Sequence, residues 1–287
     1  MEVSELDELI IMEWNINQRA NYAENKNIPS VVINKIKDIN ADIIVLTEFF
    51  KVENYKDFIS DLEEEDYTVF LDPRKAGKNK NQILIAISNK IDISNGGQLK
   101  WLPNDINGTN PNFLQVEAKY NNQPLIIIGT RIRWHGSSNG KLTKQTFKKR
   151  KKEFEYLINH LKKLKETKSK NIMILGDFNN ARIIGDENIL YDETTIDELY
   201  KNVLQRSYNY HCLKREFHEI GFNTHTPKSG TSIGNFKIDH LIVSNHINLL
   251  RIDYDPNYDT VKSTDKNEAI SEIAFPDHAI LTASIKI

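Results

Sequence analysis

The chain has little cysteine, little surplus charge and no long apolar run, and each shortage removes a class of protein from consideration. A single cysteine, Cys212, stands among 287 residues. An internal disulfide is therefore impossible, as is a structural zinc site built from several thiolates. The 38 Lys and Arg against 40 Asp and Glu leave a formal net charge of -2, so the chain as a whole is no polycation that coats nucleic acid indiscriminately. No apolar stretch approaches the roughly 18 residues that a membrane span requires. The opening MEVSELDELIIMEWN carries acidic side chains where a secretion signal carries basic ones, and its apolar piece Leu9–Met12 is too short for such a signal. These shortages lead to the expectation of a cytoplasmic protein with no membrane partner. Internal repeats of roughly 20–50 residues are also lacking, which argues against solenoids and propellers.

What is present suffices for a sizeable core: 39% of residues are hydrophobic, 27% are charged, and 12 Phe, 11 Tyr and 3 Trp are spread along the chain. Leu9–Asn15 reads as a first strand. Pro29 and Ser30 open a helix whose Ile28, Val32, Ile36 and Ile39 share one stripe. Asp42–Thr47 follows as a buried strand, then a short helix near Tyr55–Leu62. Thr68–Leu71 and Ile83–Ser88 form a hairpin around a long polar loop, and Phe113–Tyr120 and Pro124–Ile132 form another around Asn121-Asn122.

Phe147, Phe154, Leu157, Leu161 and Leu164 recur at helical spacing through the basic segment Lys141–Lys170. Its lysines read first as the solvated back of a long helix and second as a local phosphate-binding face. Asn171–Gly176, Phe236–Ser244 and Ala279–Ile287 complete the strand list. Hairpins mixed with helical crossovers predict an α+β protein: a four-layer α/β/β/α sandwich of two packed, mostly antiparallel sheets with outer helices, residues 1–287 forming one domain.

Polar residues of a few types fall where the buried strands end. Asn15 closes the first strand, Glu48 the second, and Asp177 and Asn179 follow NIMILG; Asp239 lies in KIDHLIVS, and Asp277 and His278 precede the last strand. Strand ends converging on one rim would gather oxygen donors, which suits Mg2+, a hard cation held by one or two carboxylates while waters and a phosphate supply the rest. Glu48 fits that duty, with Asn15 and Asp277 as direct or water-mediated partners, and Mn2+ is a possible substitute. A second carboxylate is then free to act on water. Taken singly, each of these residues is equally a turn former, a cap or a satisfied structural side chain.

In order along the chain, MEWNIN, VLTE, GDFN, KIDHLIVS and PDHAIL resemble the successive motifs of the endonuclease/exonuclease/phosphatase (DNase I-like) superfamily. The resemblance spans residues 12 to 281 and implies a magnesium-dependent phosphodiester hydrolase, with nucleic acid as the expected substrate. It implies that Glu48 binds the metal with Asn15 and Asp277, that Asp177 aligns or deprotonates the attacking water, and that Asn179 hydrogen-bonds the phosphate or that water. His278 contacts the scissile phosphate, oriented and charged by Asp239. Whether Asp177 or His278 is the base stays open.

Arg131 departs from the pattern, standing where the superfamily usually offers His or Tyr. It is read either as a donor to phosphate oxygens or as a salt-bridged arginine, with Arg133, Trp134 and His135 as alternatives. The loop THTPKSGTSIGNFKIDH has no aromatic before Phe236, which argues against abasic-site specificity. Lys75, Lys78 and Lys80 are either phosphate contacts or solvated loop charges. His211, His218 and His225 lie near Cys212 at a spacing that does not unite them on a helix, so no zinc site is expected there. Two other readings remain: a hydrolase of small-molecule or lipid phosphoesters, and a non-catalytic relative that binds nucleic acid or protein.

Overall fold

Period-two alternation along the strands builds two sheets that bury one face against each other and the other against helices. The computed structural model describes residues 8–18, 27–71, 82–93, 100–101, 113–132, 144–167, 171–182, 214–230, 232–233, 236–259, 261–263 and 273–287. The expectations for Lys75, Lys78, Lys80, Arg133, Trp134, His135, His211 and Cys212 lie outside these residues.

The elements run β1 (Leu9–Asn15), α1 (Ser30–Ile39), β2 (Ile43–Phe49), α2 (Tyr55–Glu64), β3 (Tyr67–Leu71), β4 (Gln82–Ser88), β5 (Lys100–Trp101), β6 (Phe113–Tyr120) and β7 (Gln123–Arg131). Then come α3 (Lys144–Glu166), β8 (Asn171–Arg182), β9 (Phe222–His225), β10 (Lys237–Ser244), β11 (Asn248–Asp255), β12 (Val261–Ser263), β13 (Ile273–Phe275) and β14 (Ile280–Lys286). One six-stranded sheet has the order β11-β14-β1-β2-β4-β3, and a second has the order β5-β6-β7-β8-β10-β9. Within them β1 with β2 and β7 with β8 are parallel pairs, and the other pairs are antiparallel.

Leu9, Ile11, Ile43, Val45, Ile83 and Ile85 of the first sheet meet Leu125, Ile127, Met173, Leu175, Leu241 and Val243 of the second in one buried cluster. The opposite face of the first sheet, with Met12, Trp14, Ile44 and Leu46, packs on Val32 and Ile36 of α1 and on Phe58 and Leu62 of α2. On the far side of the second sheet, Ile126, Ile128, Ile172 and Ile174 pack on Phe154, Leu157 and Leu161 of α3. The layers are therefore α/β/β/α, as expected. Each large aliphatic side chain removed from water contributes about 1.5–3 kcal/mol, so this double layer of Ile, Leu and Val is the main stabilising feature.

Some details depart from the reading of the sequence. β2 runs on through Glu48 and β8 runs on through Asp177 and Asn179, so these residues lie inside strands rather than beyond their ends. β9 and β11 are strands that the sequence reading left out.

Candidate active site

The strand alternation that builds the inner core also builds the site. On β1 the inward series Leu9, Ile11 continues as Glu13 and Asn15; on β8, Met173 and Leu175 continue as Asp177 and Asn179. On β10 the series Val243, Leu241 leads back to Asp239, and on β7 Leu125 and Ile127 lead through Gly129 to Arg131. At one end of the sandwich the space between the sheets therefore changes from aliphatic to acidic.

Two irregularities refine the aim. The β2–β4 register shifts between Leu46 and Phe49, where Glu48 takes a φ of 53°, and the β10–β8 register shifts between Lys237 and Asp239. Bulges of this kind redirect a side chain that strict alternation would send elsewhere. Glu48, at an even position like the outward Ile44 and Leu46, thereby meets Arg131 of the other sheet.

The structure brings the expected residues together. Asp177 Oδ1 accepts the Asn179 backbone N–H at 2.8 Å, while its Oδ2 accepts Asn179 Nδ2 at 2.7 Å and Asn15 Nδ2 at 3.1 Å. Asn179 Nδ2 also donates to the Ile132 carbonyl at 2.9 Å, so the carboxylate is fixed by amides themselves fixed to the frame. Arg131 Nη2 lies 2.5 Å from Glu48 Oε1, and its Nε lies 3.8 Å from Asp177 Oδ2. His278 Nδ1 donates to Asp239 Oδ2 at 2.8 Å, leaving Nε2 on the other side of the ring, 3.9 Å from Asp277 Oδ1.

Burial and crowding shape the charges. Burial first, and Asp239 second, push Asp177 up to about 7 against the opposing pull of His278 and Arg131. Burial alone would lower His278, but the bonded Asp239 carboxylate, with Asp177 and Asp277 beyond it, pushes it up to about 10. Arg131 is likewise opposed by burial, and Glu48, then Asp177, more than compensate.

Three contributors were absent from the reading of the sequence. Glu13 is fully buried, its Oε1 accepting the Thr47 hydroxyl at 3.3 Å, and burial followed by Asp239 raises it well above the ordinary carboxylate range. Its inward parity with Leu9 and Ile11 was the available signal. The other two hold the backbone of His278: its carbonyl accepts Trp14 Nε1 at 2.8 Å and also the Tyr258 hydroxyl, and the two rings meet edge to face at 4.9 Å. Nothing in the sequence around Tyr258 points to that contact.

Solved structures resemble this arrangement over nearly its whole length. An endonuclease/exonuclease/phosphatase family protein from Bacteroides thetaiotaomicron superposes with a TM-score of 0.61 at 17% identity, covering 97% of this chain and 98% of that one. The fold is that of the endonuclease/exonuclease/phosphatase proteins. The mannosyl-6-phosphatase of the same organism gives a TM-score of 0.58 at 16% identity, covering 97% of this chain and 100% of the other. D. rerio TDP2, solved in complex with a single-strand DNA product, gives 0.55 at 12% identity, covering 98% of this chain and 100% of its own. No protein-family profile and no curated protein sequence matches the chain.

The donor set at this mouth of the sandwich suits a divalent cation. Among the described residues the site gathers Glu13, Glu48, Asp177, Asp239 and Asp277 around Arg131 and His278, and burial first, with the neighbouring Asp239 carboxylate second, raises Asp177 and Glu13. The Asp239 Oδ1 and Glu13 Oε2 atoms are buried without a hydrogen-bond partner among the described residues. No group of three or more His, Cys, Asp or Glu among the described residues is arranged to hold a metal ion by itself. Magnesium does not need one, since one or two carboxylates with waters and a phosphate complete its shell.

Other predicted features fall elsewhere. α3 turns Phe154, Leu157, Leu161 and Leu164 inward and Lys152, Lys162, Lys163 and Lys165 outward, in accord with a solvated basic back. His225 lies in β9, where burial lowers it below its ordinary value. The fully buried His240 bonds the Thr226 hydroxyl at 2.9 Å and packs on Phe178, a structural role. No helix among the described residues is long and apolar enough to cross a membrane.

Proposed function

We propose that the chain is a divalent-metal-dependent phosphoester hydrolase acting as a nuclease or phosphodiesterase, with Mg2+ as the working ion and Mn2+ as a substitute. The observation that carries this reading is the junction of Glu48, Arg131, Asp177 and the Asp239–His278 pair at one mouth of the sandwich. Glu48 would hold the ion, with Asn15 and Asp277 as direct or water-bridged partners. When bound, the ion supplies Lewis-acid stabilisation of charge on the phosphoryl oxygens.

The side chains divide the remaining work. Asp177, fixed by three N–H donors and pushed up to about 7, is the group that takes the proton of the attacking water at neutral pH. His278, pushed up to about 10, is already protonated there, which favours Asp177 as the base and leaves His278 as a cationic donor to the phosphate. Asp239 orients that imidazole and keeps it charged. Asn179 aligns Asp177 and the water, and Arg131 lies close enough to offer its planar donors to a phosphate oxygen.

Nucleic acid is the substrate favoured by the order of the motifs and by the likeness to a TDP2 solved with a DNA product. The likeness to a mannosyl-6-phosphatase supports a second reading, a small phosphomonoester. Single- and double-stranded DNA, RNA, bis(p-nitrophenyl) phosphate and sugar phosphates, each assayed with Mg2+ or EDTA and against Asp177→Asn, decide the matter. Expected are metal-dependent cleavage of a diester and a loss of about a hundredfold or more in Asp177→Asn. Equal turnover in all three conditions would remove the proposal, and turnover of sugar phosphates alone would transfer it to the second reading.

A further inference from the structure

The ion pair between Arg131 and Glu48 joins a fixed cation to the carboxylate assigned to the metal. Arg131 Nη2 sits 2.5 Å from Glu48 Oε1, across the gap between the two sheets, with both side chains largely buried. A guanidinium so placed meets the requirement that otherwise falls to the metal: it compensates Glu48 in a pocket that already holds an excess of carboxylates. Resting on the metal reading above, we infer that Arg131 is an internal competitor of the divalent cation for Glu48, so that metal entry displaces the guanidinium and the affinity for metal is set by that exchange.

The surroundings make the exchange feasible. Glu48 sits at the β2–β4 register shift with a φ of 53°, a conformation rare for a residue that is neither Gly, Asn nor Asp, so the bulge sets the backbone that carries the carboxylate. The arginine has other acidic neighbours. Its Nε, buried and without a hydrogen bond among the described residues, lies 3.8 Å from Asp177 Oδ2, and Glu153 of α3 also draws on its charge. Released from Glu48, the guanidinium stays compensated at the rim, where an incoming phosphate can take its free donors. A cation and a guanidinium on the same carboxylate repel each other across a few ångströms, so each weakens the hold of the other.

The test is calorimetric titration of the full chain with Mg2+ and with Mn2+, comparing wild type, Arg131→Gln, Arg131→Lys and Glu48→Gln, each checked for folding by circular dichroism. Removing the competitor should tighten metal binding by about tenfold or more in Arg131→Gln, since a unit charge at this distance is strongly felt in a buried site. Arg131→Lys, shorter and with no fork, should fall between it and wild type, and Glu48→Gln should lose binding. Unchanged or weaker binding in Arg131→Gln, with binding still lost in Glu48→Gln, would overturn the competition and leave the metal site standing. Absence of binding in wild type and Arg131→Gln alike, or undiminished binding in Glu48→Gln, would overturn both. A readout on the unaltered protein guards against misfolded variants: the Arg131 Nε–Hε resonance should move on saturation with Mg2+, and a resonance that stays in place sinks the exchange.

Discussion

Asp177 and His278 both retain protons beyond their ordinary ranges, which gives the metal-free protein an unusual pH dependence. Each group has a folded-state pKa above its unfolded value, so each contributes stability that is fully present below the unfolded pKa and is lost as pH rises through the folded one. For Asp177 the window runs from 3.8 up to about 7, and for His278 from 6.5 up to about 10. In EDTA the urea midpoint is therefore expected to fall between pH 5 and pH 9, and Asp177→Asn should flatten the part below pH 7. A midpoint that rose across the range would contradict these assignments. Asn15, Glu48, Asp177, Asn179, Asp239, Asp277 and His278 were legible as a candidate set because each sits in a short ordered motif beside a hydrophobic run, whereas Arg131 stands outside those motifs. Glu13 was legible only to someone who followed the parity of Leu9 and Ile11 one step further. Tyr258 was not, because its value comes from where the chain returns in space, and the residues beside it carry no pattern.

The central strands announced themselves, and so did the edge strand β3, whereas the edge strands β9 and β11 did not. β1, β6 and α1 lie within a residue of their expected bounds, since a continuous apolar run or a helical stripe marks each. β11 is an edge strand, its burial alternating poorly and its register slipping between Leu249 and Arg251, so NLLRIDYD shows no clean period. Asn121 and Asn122, with φ of 49° and 63°, make the β6–β7 turn a type that Asn-Gly fills best. Asn122→Gly should therefore raise stability by a few tenths to about 1 kcal/mol, read from thermal and urea unfolding. Gly176 makes the opposite point. A Cβ there would stand 1.7 Å from the Thr130 carbonyl oxygen of the neighbouring strand, where the backbone cannot give way without opening the β7–β8 pair. Gly176→Ala is expected to cost about 3 kcal/mol or more, and because Asp177 comes next, loss of activity should accompany it; wild-type stability in this variant would refute the close approach.

At the scale of the whole molecule, the excess of carboxylates between the sheets is a standing electrostatic load that a bound cation would relieve. A ligand that binds only the folded chain adds about 2.7 kcal/mol at a hundredfold excess over its Kd. Mg2+ should thus shift the urea midpoint upward, EDTA should reverse the shift, and Glu48→Gln should show neither; a metal-insensitive midpoint in the wild type would count against the site. The four layers were legible because nearly every central strand could be found. The aim of Glu48 was not, since it depends on a bulge that no residue type declares. The Trp14 indole donates to the His278 carbonyl across 264 residues of chain, from the first strand to the edge of the last. A ribosome delivers Trp14 long before His278, so a nascent chain holds the parts of the candidate site in separate lengths of polypeptide. The candidate site is therefore complete only once the terminal strand has paired with the first.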